Sequence, residues 1–138
     1  MSRSVRCACQ SRKKAHRCCG PWLNGRAAPT PTALMRSRFA AYALGNTDYI
    51  MATTAPSGPQ FQADTPAWVA DIERFSTRTR FRGLAILTAS AADGTEATVT
   101  FRATLEQNGA DASFTERSTF VRGADGRWRY HSGTRLDG

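Results

Sequence analysis

The sequence predicts an α+β fold in which three helices pack on one face of a four-stranded antiparallel sheet, with a small metal-binding motif in front of them. Three observations carry this expectation. Apolar residues recur at helical spacing before residue 79, the period changes from 3.6 to 2 after it, and all four cysteines fall within residues 7–19. At 138 residues and 15.1 kDa the chain has room for one ordinary domain and a small accessory element.

Gly20, Pro21, Gly25, Pro29 and Pro31 mark residues 20–31 as irregular, with Trp22 and Leu23 placed to pin the cysteine-bearing head to the body. Thr30-Pro31 is a helix start, a capping hydroxyl followed by proline at the first helical position. This helix runs over 31–44, carries Leu34, Met35, Phe39 and Tyr42, and ends at Gly45. Asn46 or Thr47 caps a short second helix holding Tyr49 and Ile50. Thr65-Pro66 opens a third, with Trp68, Ile72 and Phe75 at i, i+4 and i+7. Strands are expected over 81–90, 95–106, 113–122 and 127–132. The second is the clearest, since Ala97, Val99, Phe101, Ala103 and Leu105 alternate with polar residues. Asp93-Gly94, Asn108-Gly109 and Asp125-Gly126 supply the turns between them.

Charge and cysteine are concentrated at one end. Residues 1–38 hold nine basic side chains and no acid, so a head of charge +9 precedes a body of charge −1. Seventeen of the nineteen basic residues are arginine, which points to codon bias as one source of them. No apolar run approaches the roughly 20 residues that span a bilayer, and no apolar core succeeds the basic start as in a secretory signal. The expected location is cytoplasmic, without membrane insertion. In a reducing compartment, four thiols within thirteen residues read as a metal site rather than a disulfide framework.

The pattern is Cys7-x-Cys9-x8-Cys18-Cys19. Four thiolates close a tetrahedral zinc site and leave no position open to water. Such a site supplies roughly 10–16 kcal/mol of apparent binding free energy, enough to organise a segment too polar to fold alone. Arg6, Arg12, Lys13, Lys14 and Arg17 surround it and offset the −2 charge of a tetrathiolate zinc, leaving the head near +7. Alternatives stay open: four reduced thiols in a basic tail, an iron–sulfur or redox role, or His16 as a substitute ligand. Adjacent Cys18-Cys19 is poor geometry for a reversible disulfide.

This spacing resembles the SEC-C motif, the zinc module at the C-terminus of the SecA preprotein translocase. All four cysteines match it position for position, and Gly20-Pro21 comes next as it does there. The segment after the second cysteine, usually Gly-Ser-Gly, is Gln10-Ser11-Arg12 here. Further on, the stretch from Ala33 to Tyr42 is similar to the helix signature of the YchJ-like family. Thr115 to Phe120 and Gly126 to Tyr130 resemble its strand signatures. That resemblance covers nearly the whole chain. It implies a SEC-C motif over residues 1–22, a linker over 23–31, and over 32–138 a cone domain of the nuclear-transport-factor and SnoaL-like (cystatin-like) class. In that class a curved sheet and the helices enclose a pocket. Of functional residues the resemblance carries over only Cys7, Cys9, Cys18 and Cys19, as ligands of one structural zinc.

The body offers few groups for acid–base chemistry. His131 lies near the end of the last strand, and Asp48 and Asp71 read as capping or solvent-facing charges. Glu116 and Ser118 share the face of Phe114 and Phe120, where burying a carboxylate without partners is costly. Three readings stand: a pocket floor, an ion pair with Arg36 or Arg38 that locks the first helix to the sheet, or solvent exposure. Glu116, Ser118, Arg36, Arg38 and Trp128 are the candidate pocket residues, and a pocket filled by Phe101, Phe120 and Trp128 would argue against chemistry there. No phosphate loop, His-Glu-x-x-His or nucleophile elbow is present, so no catalytic residue is assigned. The expected function is a zinc-binding, non-enzymatic adaptor whose basic head contacts a protein or, through counterion release, a ribosomal or other nucleic-acid partner. The alternative is an enzyme or small-ligand carrier using the pocket around Glu116. A homodimer through the sheet is a third expectation.

Overall fold

The computed structural model describes residues 5–136 and has the expected α+β architecture. Helix α1 (Gly20–Leu23) is a single turn. It stands where the glycines and prolines predict irregular chain, and the reason is position: Pro21 lies in the first turn, where its missing N–H is not needed. Helix α2 (Pro31–Leu44) starts at Thr30, whose hydroxyl accepts from Ala33 N at 3.1 Å, and stops at Gly45, which turns left-handed at φ 72°. Leu34, Met35, Ser37, Arg38, Phe39, Ala40 and Ala41 are all buried, so α2 runs through the centre of the domain. The Asn46 side chain caps α3 (Thr47–Ala52). Helix α4 (Thr65–Arg78) is capped by Asp64, one residue earlier than Thr65-Pro66 suggests, and buries Trp68 and Ile72.

The sheet comprises β1 (Thr79–Ala89), β2 (Glu96–Gln107), β3 (Ala110–Asp111), β4 (Phe114–Arg122) and β5 (Trp128–Arg135). Its order is β1-β2-β4-β5, antiparallel throughout and not closed into a barrel, with β3 paired to β2. The four expected strands are present. The added β3 is two residues long, formed because Asn108 (φ 53°) and Gly109 (φ 76°) make a tight reversal that pairs Gln107 with Ala110. Bulges in β1, at Phe81/Gly83 and Ile86/Thr88, and one between β4 and β5 bend the sheet around α2. Arg102 and Thr104 on β2, Arg117 on β4 and Leu87 on β1 are exposed.

Leu34, Met35, Phe39, Val99, Phe101, Phe120 and Trp128 form one buried cluster that also takes in Cys7, Cys9 and Cys19. The cysteine head is therefore not a separate knob but one end of the domain core. Gln10 adds a tie, donating from Nε2 to the Phe81 carbonyl at 3.1 Å.

The chain from Thr53 to Pro59 closes the other end. Tyr130 N donates to Thr53 O and Ala55 N to Tyr130 O, each at 2.8 Å, so this loop runs alongside β5. Gly58 touches β5 so closely that an added Cβ would overlap the His131 carbonyl. Gly58→Ala must push the loop off the strand, at a cost of about 1–3 kcal/mol. A thermal melt is expected to show a drop of several degrees, with Gly94→Ala, where a Cβ meets nothing, as the neutral control.

Candidate metal centre and cavity

The head is shaped by a miniature hairpin. Cys7 N donates to Lys13 O at 2.8 Å and Ala15 N to Val5 O at 2.9 Å, while Arg6 and Lys14 form an antiparallel bridge. The connector then turns through a short 3₁₀ segment, Ala15–Arg17, and delivers Cys18 and Cys19 opposite the first pair. All four Sγ atoms lie within 4.8 Å of one another, with Cys9–Cys18 at 3.5 Å and Cys18–Cys19 at 3.9 Å. A tetrahedral ion bonded to sulfur at about 2.3 Å requires edges of about 3.8 Å, so the set fits a four-thiolate zinc with small adjustments. Cys7, Cys9 and Cys19 are buried and Cys18 is partly so. His16 is exposed and stands outside the cluster.

Crowded thiols disturb one another. Hydrogen bonds from Cys19 and then Cys7 hold the Cys9 thiol below the ordinary thiol range. Contacts with Cys7 and Cys9, together with burial, push Cys19 above it. Four thiolates in this space are stable only if a cation shares their charge, which is the chemistry a divalent metal supplies. Ser11 Oγ lies 3.2 Å from Cys18 Sγ, positioned to orient it.

The two positions flanking Ser11 are backbone outliers. Gln10 and Arg12 adopt φ of 67° and 71°, the left-handed region that favours glycine, and the resembled motif places glycines there. Gln10 offsets that strain through its bond to Phe81, whereas the exposed Arg12 side chain has no comparable tie. Arg12→Gly is expected to raise stability by about 0.5–1 kcal/mol and to slow stripping of metal by a chelator. Equal or faster stripping would show that the turn is not strained.

The body encloses a cavity of about 390 Å³ between α2, α4 and the sheet. Its walls are apolar and largely aromatic, including Phe39, Trp68, Phe101 and Phe114. Of the candidate residues, Glu116, Ser118 and Arg38 line it, while Arg36 and Trp128 do not. Trp128 faces a second groove, of about 560 Å³, shared with Trp22, Leu23 and Tyr49 at the seam between head and body. Arg36 keeps its Nη1 buried without a hydrogen-bond partner. The ion pair expected between Glu116 and Arg36 or Arg38 does not form. Glu116 instead receives Ser118 Oγ at 2.7 Å, Arg135 Nε at 3.3 Å and Tyr130 OH at 3.4 Å. Arg135 reaches it because β4 and β5 set the two residues directly opposite. His131 is half-buried, bonded through Nδ1 to Ser132, and lies outside the cavity lining.

Arg38 and Tyr130 are the pair that the sequence does not reveal. Arg38, 3% exposed, sends Nη1 to Ile50 O at 3.1 Å, Thr53 Oγ1 at 2.8 Å and Thr54 Oγ1 at 3.1 Å. Its guanidinium lies 4.7 Å from the centre of the Tyr130 ring. Tyr130 in turn has its phenol raised well above the ordinary range, by burial first and then by the Glu116 charge. An unfolded tyrosine gives up its proton near pH ~10, before the folded one does. Stability is therefore full below that pH and falls as pH rises through it. Tyr130→Phe should flatten this fall in urea melts taken between pH 9 and 11, with burial of Tyr49 accounting for part of what remains. Parallel slopes in the two proteins would refute the assignment.

Comparison with known proteins agrees with this arrangement. A family model described as "YchJ, middle NTF2-like domain" matches residues 30–133. A UPF0225 protein of Sodalis glossinidius is 37% identical over 134 residues, covering 94% of this chain and 83% of its own length. The solution structure of a SEC-C motif containing protein from Rhodopseudomonas palustris superposes with a TM-score of 0.80 at 36% identity, covering 96% of this chain and all of the other. A putative ketosteroid isomerase from Shewanella frigidimarina matches at a TM-score of 0.55 and 15% identity, over 75% of this chain and 91% of its own, a likeness of fold alone.

Proposed function

The chain belongs to the YchJ-like family, and on that premise we propose that it is a zinc-stabilised adaptor whose basic head docks on an acidic protein surface. The observation that carries this reading is the closed set of four converging thiols, fused to the domain core and rimmed by cations. Arg6, Arg12, Lys13, Lys14, Arg17 and Arg26 are all exposed, and no acid precedes Asp48 in the sequence. The zinc is structural: with four sulfur ligands no position is left for water or substrate. A protein target is favoured over ribosomal RNA because base stacking needs exposed aromatic platforms. The head's one large ring, Trp22, is half-buried and turned into the seam groove. No helix among the described residues is long and apolar enough to cross a membrane. A second reading, that the body carries a small ligand or acts on one around Glu116, is favoured by the cavity itself.

Metal analysis of untagged protein by mass spectrometry tests the first reading. About one zinc per chain is expected, lost in Cys18→Ser/Cys19→Ser with a fall in melting temperature. Iron, or no metal, overturns the structural-zinc assignment. For the docking face, the Arg12→Glu/Lys13→Glu/Lys14→Glu variant should keep its metal and its fold but lose a protein partner captured by crosslinking. Loss instead of co-sedimentation with purified ribosomes would move the target to RNA.

A further inference from the structure

The unengaged donors of one buried arginine in the cavity select a ligand class, an inference that rests on the second reading above. Arg38 is a buried cation with no carboxylate partner: among the described residues it makes no ion pair. Only Nη1 is committed to protein acceptors, all of them neutral oxygens. Its Nε and Nη2 hydrogens have no acceptor among the described residues, and the guanidinium lines the cavity. Trp68 also lines the cavity.

The carboxylates nearby do not supply what Arg38 lacks. Glu116 is held by Ser118, Tyr130 and Arg135. Asp71, at the exposed rim, is held by Gln62 and Arg74. Across the lining Arg38 and Arg135 are matched in number by Glu116 and Asp71, but both carboxylates are engaged by other groups, which leaves the unengaged donors of Arg38 for a ligand. Around this charge the walls are Met35, Phe39, Ile72, Phe81, Phe101 and Phe114. A guanidinium with one open edge, deep in an aromatic chamber, fits an anion with an apolar body: water satisfies the charge poorly there, and a carboxylate matches the guanidinium fork.

We propose that this cavity binds a small, flat, apolar monocarboxylic acid, with its carboxylate on the open edge of Arg38 and its ring system among the aromatic side chains. Exposed Pro59, Gln60 and Arg135 in the lining place the entrance at the loop that Gly58 anchors to β5. The seam groove is a poorer candidate for an anion, because its Arg129 is already engaged twice by Asp125 and its Arg26 and Arg127 are exposed to water.

The test uses the full-length, metal-loaded chain and three probes of one shape: 2-naphthoate, methyl 2-naphthoate and 2-naphthylmethylamine. Binding is read from the Trp68 indole resonance in ¹H–¹⁵N spectra, with Trp22 as the internal control outside the cavity. The acid is expected to shift Trp68 and to bind at least tenfold more tightly than its ester, with the amine weakest. Arg38→Gln should bring acid and ester to equal affinity. Should that variant fail to fold, the acid-to-ester ratio in the unmodified protein decides alone. Equal binding of acid and ester, or tightest binding of the amine, overturns the anion assignment while leaving a ligand cavity standing. No response of Trp68 to any probe at millimolar concentration overturns both.

Discussion

One guanidinium, taken out of water, holds the body together. Arg38 sits on the central helix and fastens to the C-terminal end of α3, to the loop beyond it and to the face of Tyr130 on the last strand. Desolvating an isolated charge costs several kcal/mol in a protein interior. The two hydrogens of Nη1, shared among three acceptors, give charge-assisted bonds of roughly 1.5–3 kcal/mol each that offset part of that cost. Burial draws the proton affinity of Arg38 down, with the neighbouring tyrosines acting the other way. The position of the loop from Thr53 to Pro59, and through it the mouth of the cavity, depends on this arrangement.

The head solves a different problem. Residues 5–19 have too little apolar surface to bury themselves, and their charge is almost all of one sign. Their order comes from two sources: thiol sulfurs that converge, and a shared hydrophobic cluster that admits Cys7, Cys9 and Cys19 beside Leu34 and Phe101. Phe81 joins the two halves. Its carbonyl receives Gln10, and its ring packs edge-on against Phe39 and Phe75 in the cavity wall. The residue that departs from glycine at position 10 thus trades backbone strain for a tie to the sheet.

Much of this architecture is legible in the residues alone. Helix α2 begins and ends where Thr30-Pro31 and Gly45 place it, because caps and prolines act through local backbone geometry. The alternation in β2 marks its buried face, since an exposed outer face leaves a clean period of two. Local rules do not reach facts of register and distance. A two-residue strand has no period to detect, so β3 escapes them. The partner of Glu116 is set by the pairing of β4 with β5, which brings Arg135 opposite, while Arg38 turns toward α3 instead. Arg36 and Arg38 are both legible as pocket candidates, but nothing in their spacing tells which one lines the cavity, because the acceptors Thr53 and Thr54 come from the chain beyond α3. The convergence of the four sulfurs is implied by their spacing, whereas their fusion with the core is not.

The cavity shares its fold with a putative ketosteroid isomerase, a likeness of fold alone, and its own polar groups set what it can do. A general base needs a lone pair free to accept a proton within hydrogen-bond reach of its substrate. Glu116 Oε1 accepts from Arg135 and Oε2 from Ser118 and Tyr130, so most of the carboxylate's roughly four acceptor sites are engaged. Asp71 lies below the ordinary carboxylate range because Gln62 and Arg74 bond to it, and it faces solvent at the rim. Gly133 seals the arrangement on the strand side, since any Cβ there would overlap the Glu116 carboxylate. The unengaged donors of Arg38 stand beside it, set among aromatic rings. The proposed anion site would rest on these donors, since a fold hosts different functions according to the groups placed in its site.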